Sequence, residues 1–114
     1  MTPPERLYLS TMLDACRRIV ELTSGCQLAD VESDPTRRDA LLWNFTVVGE
    51  AAGQVGESIR AAQPGIPWRR MTGTRNRIVH GYWSVDLDLL VTTAQQLVPD
   101  VINRLEAVMR DIEA

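Results

Sequence analysis

His80 is the only histidine of the 114-residue chain, and it closes the run Thr74-Arg75-Asn76-Arg77-Ile78-Val79-His80-Gly81-Tyr82-Trp83. An imidazole gives or takes a proton near neutral pH, which suits it to general acid–base chemistry. Asn76 stands four residues before His80 and Arg75 five. On a helix the four-residue spacing puts Asn76 on the face of His80, where its amide can orient the ring. The five-residue spacing puts Arg75 roughly 140° round the axis. Arg75 and His80 therefore converge only if the guanidinium reaches round the helix or the helix meets a second copy of itself.

Such groups suit the cleavage of a phosphodiester in RNA. Imidazole moves the protons of the 2′-hydroxyl and the 5′-oxygen, and guanidinium stabilises the charge added in the phosphorane. That chemistry needs no metal. It does need both an acid and a base, and one chain carries one imidazole. A two-fold dimer with the two motif helices side by side supplies both, and doubles the arginines around one cleft.

The charge distribution points to the same segment. The chain holds 12 cations and 15 acids, a formal net charge of −3. Between Ser58 and Val85 lie Arg60, Arg69, Arg70, Arg75 and Arg77 and no acid, so the other seven cations and all 15 acids fall elsewhere. A cationic island on an anionic body is an electrostatic footprint for phosphate. Arg69, Arg70 and Arg77 are the candidate RNA-binding residues. Because every cation is arginine and none is lysine, the position of the island says more than its residue type.

Other chemistries are poorly supplied. Two cysteines, Cys16 and Cys26, and one histidine cannot build a four-ligand Cys/His zinc site within one chain. Cys16 falls on an apolar helical stripe, as a buried reduced thiol does. Glu50 and Glu57 share a helical face, but no Glu-x-x-His accompanies them as a di-metal bundle site requires. Asp86 and Asp88 read as acids at a helix start rather than as ligands. Ser58 and Ser84 lack a nucleophile elbow. Trp68 and Trp83 flank the motif, where core or interface packing and base stacking are both open. No metal-binding residue is expected.

The elements that must position the motif read as helices. Thr2-Pro3-Pro4-Glu5 is a capping box with proline at the first helical position. It is followed by Leu9, Met12, Leu13, Cys16, Ile19 and Val20 at three-four spacing, and Ser24-Gly25 ends the run. Residues 26–33 read as a connection. Asp34-Pro35 opens a second helix expected to run to about Ala62, with Leu41, Phe45, Val48, Ala52, Val55 and Ile59 as its stripe. Trp43, Val47 and Ala51 widen that face, so the helix is expected to meet more than one neighbour. Gly49, Gly53 and Gly56 lie together on it and cost helix propensity, as the close approach of another backbone requires. After Pro64-Gly65-Ile66-Pro67, residues 68–80 form a third helix with Gly81 as its cap. Ser84 to Asp88 opens a fourth, in which Pro99 is expected to produce a kink near residues 95–98. The fold class is all-α, an up-down four-helix bundle with room for an extra short helix, in a single domain over residues 1–114. With no long apolar run and no secretory pattern at the N-terminus, a cytoplasmic, membrane-free protein is expected.

Arg75-Asn76-Arg77-Ile78-Val79-His80-Gly81-Tyr82 resembles the Arg-Asn-x-x-x-His-x-Tyr signature of the HepT-like toxins, within the HEPN superfamily of ribonucleases. Ile66-Pro67-Trp68-Arg69-Arg70-Met71 before it, Val85-Asp86-Leu87 after it and Leu97-Val98-Pro99 in the last helix are similar to that family too, so the resemblance covers essentially the whole chain. It implies an HEPN-like bundle and a metal-independent endoribonuclease that acts as a homodimer, the toxin of a toxin–antitoxin pair. The implied partner is a minimal nucleotidyltransferase antitoxin that uses ATP to add AMP to the tyrosine of the motif. This chain itself is implied to hold no cofactor. Carried over, Arg75 and His80 are catalytic, Asn76 supports them and Tyr82 is the modified residue. The rival reading is a non-catalytic helical partner of a nucleotidyltransferase, with the motif kept as a docking surface.

Overall fold

The computed structural model describes residues 1–113, the last of them by its backbone alone. Thr2 starts α1 (Pro3–Thr23): its hydroxyl accepts from the Glu5 amide at 3.3 Å, and the Glu5 carboxylate accepts from the Thr2 amide at 3.1 Å. Ser24 follows the last helical residue, and Gly25 turns the chain with a φ of +70°, a conformation that costs a side-chain-bearing residue more. Then come α2 (Leu28–Glu32), α3 (Pro35–Gln54), α4 (Glu57–Ala62) and α5 (Trp68–Gly81). A 3₁₀ turn (Tyr82–Ser84), α6 (Leu87–Gln96) and α7 (Val98–Glu113) complete the chain. The all-α expectation holds, with no strand among the described residues.

Three local expectations are corrected and a fourth is met. Residues 26–33 are not a plain connection: the Gln27 amide donates to the Asp30 carboxylate at 2.8 Å, and the single turn-and-a-half of α2 buries Val31 completely. The helix expected to reach Ala62 breaks at Val55-Gly56, both extended. Its cause lies far away in sequence. The Gly56 amide donates to the Glu5 carboxylate at 3.2 Å instead of continuing the helical ladder, and Arg60 donates to the freed Ala52 carbonyl at 2.9 Å. Gly81 does not cap α5: the helix runs through it into the 3₁₀ turn. The kink expected near residues 95–98 is found there: the fourth helix divides into α6 and α7 at Leu97, which keeps a helical backbone (φ −105°, ψ −44°) and donates to the Thr93 carbonyl at 2.9 Å, and Pro99 falls in the first turn of α7.

The apolar stripes meet where the periodicities put them. α1 lies against α3 and α7, α3 against α5, and α6 touches both α1 and α7. Leu9, Met12, Cys16 and Ile19 of α1 interlock with Leu41, Phe45, Val48 and Ala52 of α3 and with Val101, Leu105 and Val108 of α7, all buried. Within this core, burial pushes the Cys16 thiol up to about 12, so it stays protonated and unreactive. Trp68 is a core residue, and its indole N–H donates to the Gln63 carbonyl at 3.0 Å. No helix among the described residues is long and apolar enough to cross a membrane.

Gly49 is the glycine on which the placement of α5 depends. A Cβ built there would overlap the Arg75 Cβ and come within 2.6 Å of the Met71 carbonyl oxygen, so α5 crosses α3 at a point only hydrogen can occupy. At Gly53 the nearest atom is a Thr72 methyl at 3.8 Å, an ordinary contact. Gly49→Ala is therefore expected to lower the unfolding free energy by about 1–3 kcal/mol through overpacking, against a propensity gain of at most about 1 kcal/mol. Gly53→Ala is expected to be neutral or stabilising. Urea midpoints of the two variants test this, and equal midpoints would show that α5 does not depend on Gly49.

Candidate active site

The motif residues occupy α5 and the turn after it. Ile78 anchors the helix in the core, and its neighbours Arg77, Val79 and His80 are exposed. The α5 face that carries His80 forms one wall of a groove of about 540 Å³ together with Arg70, Gly73, Thr74 and Arg77. Val85, Leu89 and Leu90, from the turn and α6, supply an apolar opposite wall. Arg70 reaches across it and donates to the Thr93 hydroxyl at 3.3 Å. Asp86, also on the groove, is the cap of α6 and accepts from the Leu89 amide at 3.1 Å, which is the structural role expected of it.

Arg75 faces elsewhere. Its stem passes over Gly49, its Nε stands 3.1 Å from Glu50 Oε2 on α3, and its Nη1 donates to Asn76 Oδ1 at 3.0 Å. The Nε contact is an ion pair at close range but not an aligned hydrogen bond, and the nitrogen is shielded from solvent. Asn76 is thus engaged with Arg75 rather than orienting the His80 ring, a correction to the spacing argument. The reason is local: the Gly49 crossing turns the arginine along α3, within reach of the next side chain on its own helix.

The structure therefore gathers Arg70, Arg77 and His80 on one groove and leaves Arg75 off it, as the 140° offset demands, with the Asn76 side chain drawn to Arg75. Arg69 is exposed and lies beside Ile66 and Trp68, outside the His80 groove. Tyr82 opens the 3₁₀ turn, is 63% exposed, and packs edge-on against Trp83 with ring centroids 5.4 Å apart. Trp83 is 79% exposed, so of the two tryptophans flanking the motif only Trp68 belongs to the core. Val79 on α5 and Trp43 on α3 are also exposed, while α3 itself meets more than one neighbour as expected, packing on α1, α2 and α5. Sequence spacing singled out Glu50 only as half of an incomplete metal pair with Glu57 and missed its pairing with Arg75.

Comparison with known proteins puts this geometry in context. A family model described as "Ribonuclease HepT-like" matches residues 12–108. A protein of Thermococcus cleftensis named "Probable ribonuclease HepT" is 27% identical over 99 residues, covering 87% of this chain and 90% of its own length. A protein of Caldanaerobacter subterraneus subsp. tengcongensis, named as a candidate RNase, is 23% identical over 105 residues, 92% of this chain and 94% of the relative. A protein of Methanocaldococcus jannaschii with the same kind of name is 25% identical over 108 residues, 95% of this chain and 89% of the relative. No solved structure gives a significant match.

Proposed function

This chain belongs to the HepT-like ribonuclease family, and on that premise we propose that it is a metal-independent endoribonuclease, the toxin of a toxin–antitoxin pair acting in the cytoplasm. The observation that carries the reading is the position of His80 on a groove walled by Arg70 and Arg77. Arginines there bind the RNA backbone, and Arg69 extends the cationic surface along α5. His80 moves the protons, Arg75 stabilises the phosphorane, and Asn76 braces Arg75.

Within one protomer Arg75 and His80 open on different faces, so the working site in this reading is composite. Two copies of α5 meet about a two-fold axis, bringing both imidazoles and both arginines to one cleft. Exposed Val79 and Trp83 favour such an interface, because apolar side chains left bare around the motif gain from being covered. The partner that controls the toxin is a nucleotidyltransferase antitoxin that consumes ATP and adds AMP to Tyr82, and this chain needs no cofactor of its own.

One preparation tests activity and assembly together. Purified protein incubated with single-stranded RNA in EDTA is expected to cut it and leave 2′,3′-cyclic phosphate and 5′-hydroxyl ends, the products of attack by the 2′-hydroxyl. Sedimentation at micromolar concentration is expected to give about twice the 12.8 kDa chain mass. Activity lost on chelation would overturn the metal-free mechanism, and a clean monomer that still cuts would overturn the two-imidazole site.

A further inference from the structure

Glu50 is the one charged residue at the motif that the proposed chemistry leaves idle. It follows Gly49, the residue whose missing side chain lets α5 settle on α3. Its carboxylate stands 3.1 Å from Arg75 Nε, on the stem side of the guanidinium. Asn76 Oδ1 takes a hydrogen of Nη1 at 3.0 Å, which leaves further N–H groups on both terminal nitrogens unclaimed. Arg75 is therefore gripped from behind and offers its far edge.

From this arrangement, resting on the ribonuclease reading, we propose that Gly49-Glu50 is a positioning device for the catalytic guanidinium, with Glu50 fixing Arg75 before RNA arrives. A free arginine side chain has many rotamers to lose, and a site that has already lost them reaches the transition state with less reorganisation. The carboxylate also works against substrate binding, because it places a negative charge near the incoming phosphate. A residue that merely steadied the fold would do neither. The two side chains are partly exposed, 31% and 57%, and surface pairs of this kind contribute little to stability.

These opposed effects give the inference a signature. Glu50→Gln keeps the size and removes the charge. It is expected to leave the melting temperature unchanged, to lower kcat by about 10- to 100-fold, as small misplacements of catalytic groups do, and to leave KM unchanged or reduced. Glu50→Asp keeps the charge and is expected to recover part of kcat. In 15N relaxation, the Arg75 Nε–H vector is expected to be rigid in the wild type, held by the charge of Glu50, and mobile in Glu50→Gln. A Glu50→Gln enzyme with kcat equal to or above wild type would overturn the proposal, as would a rise in KM at constant kcat. A wild-type chain that cuts no RNA would instead sink the ribonuclease reading, and the Nε signal would still report whether Glu50 holds Arg75.

Discussion

His80→Ala is expected to abolish RNA cleavage, and Arg75→Ala to do the same, while both variants are expected to melt at the wild-type temperature. The first loss is the larger. A positioned acid or base contributes about 10²- to 10⁴-fold, and in a two-imidazole cleft one substitution in each chain removes both proton-transfer groups. Loss of one preorganised charge-stabilising donor costs about 10²- to 10³-fold, which sets the scale for Arg75. Stability is spared because His80 is exposed and the Arg75 pair with Glu50 is worth little in water. Single-turnover cleavage of a labelled RNA, read beside thermal melting, measures both. Full activity in either variant removes that residue from the mechanism. A dimer with one wild-type and one His80→Ala chain is expected to be nearly inactive too, since a single imidazole cannot serve as acid and base at once. Recovery of cleavage in a mixed dimer of the Arg75→Ala and His80→Ala chains would mean that one imidazole suffices and that the two residues act from different chains.

The parts of this site that sequence made legible are those fixed by neighbours within a turn or two. The Thr2–Glu5 box, Pro35 at the start of α3 and the apolar stripes of α1, α3 and α7 all depend on spacing along one helix, and each is found where periodicity puts it. What sequence could not show depends on partners distant along the chain. The break at Val55-Gly56 needs a carboxylate 51 positions away, and nothing local to the glycine announces it. The direction of Arg75 depends on which α3 residue lies beneath it, so the three clustered glycines could be recognised as a close approach without revealing that only Gly49 is one. Glu50 was visible merely as half of an incomplete metal pair, because pairing it with Arg75 requires the α3–α5 crossing. The 140° offset of Arg75 from His80 was legible from spacing alone, and it is the feature on which the proposed second chain rests.

On the proposed reading, Tyr82→Phe is expected to leave the protein an active ribonuclease that the nucleotidyltransferase can no longer silence. Tyr82 is 63% exposed at the start of the 3₁₀ turn, two residues beyond His80 on the chain, so an enzyme can reach its hydroxyl without opening the core. Its ring meets Trp83 edge-on, a contact that phenylalanine keeps. Substitution thus deletes the acceptor oxygen and little else. An adenylate on that oxygen brings at least one negative charge into the field of the α5 arginines, where it can pair with guanidinium that would otherwise hold RNA phosphate. Binding and cleavage should fall together in the modified wild type, by about 10³-fold or more if the adenylate also blocks His80 from the scissile phosphate. Co-expression with the nucleotidyltransferase and intact-mass measurement separate the outcomes. The wild type is expected to gain mass in units of AMP and lose toxicity, whereas Tyr82→Phe gains none and stays toxic. If the phenylalanine variant is neutralised as fully as the wild type, control does not run through Tyr82. The antitoxin then acts by covering the motif, and the bare apolar residues beside it, Val79 and Trp83, become the surface on which that cover would sit.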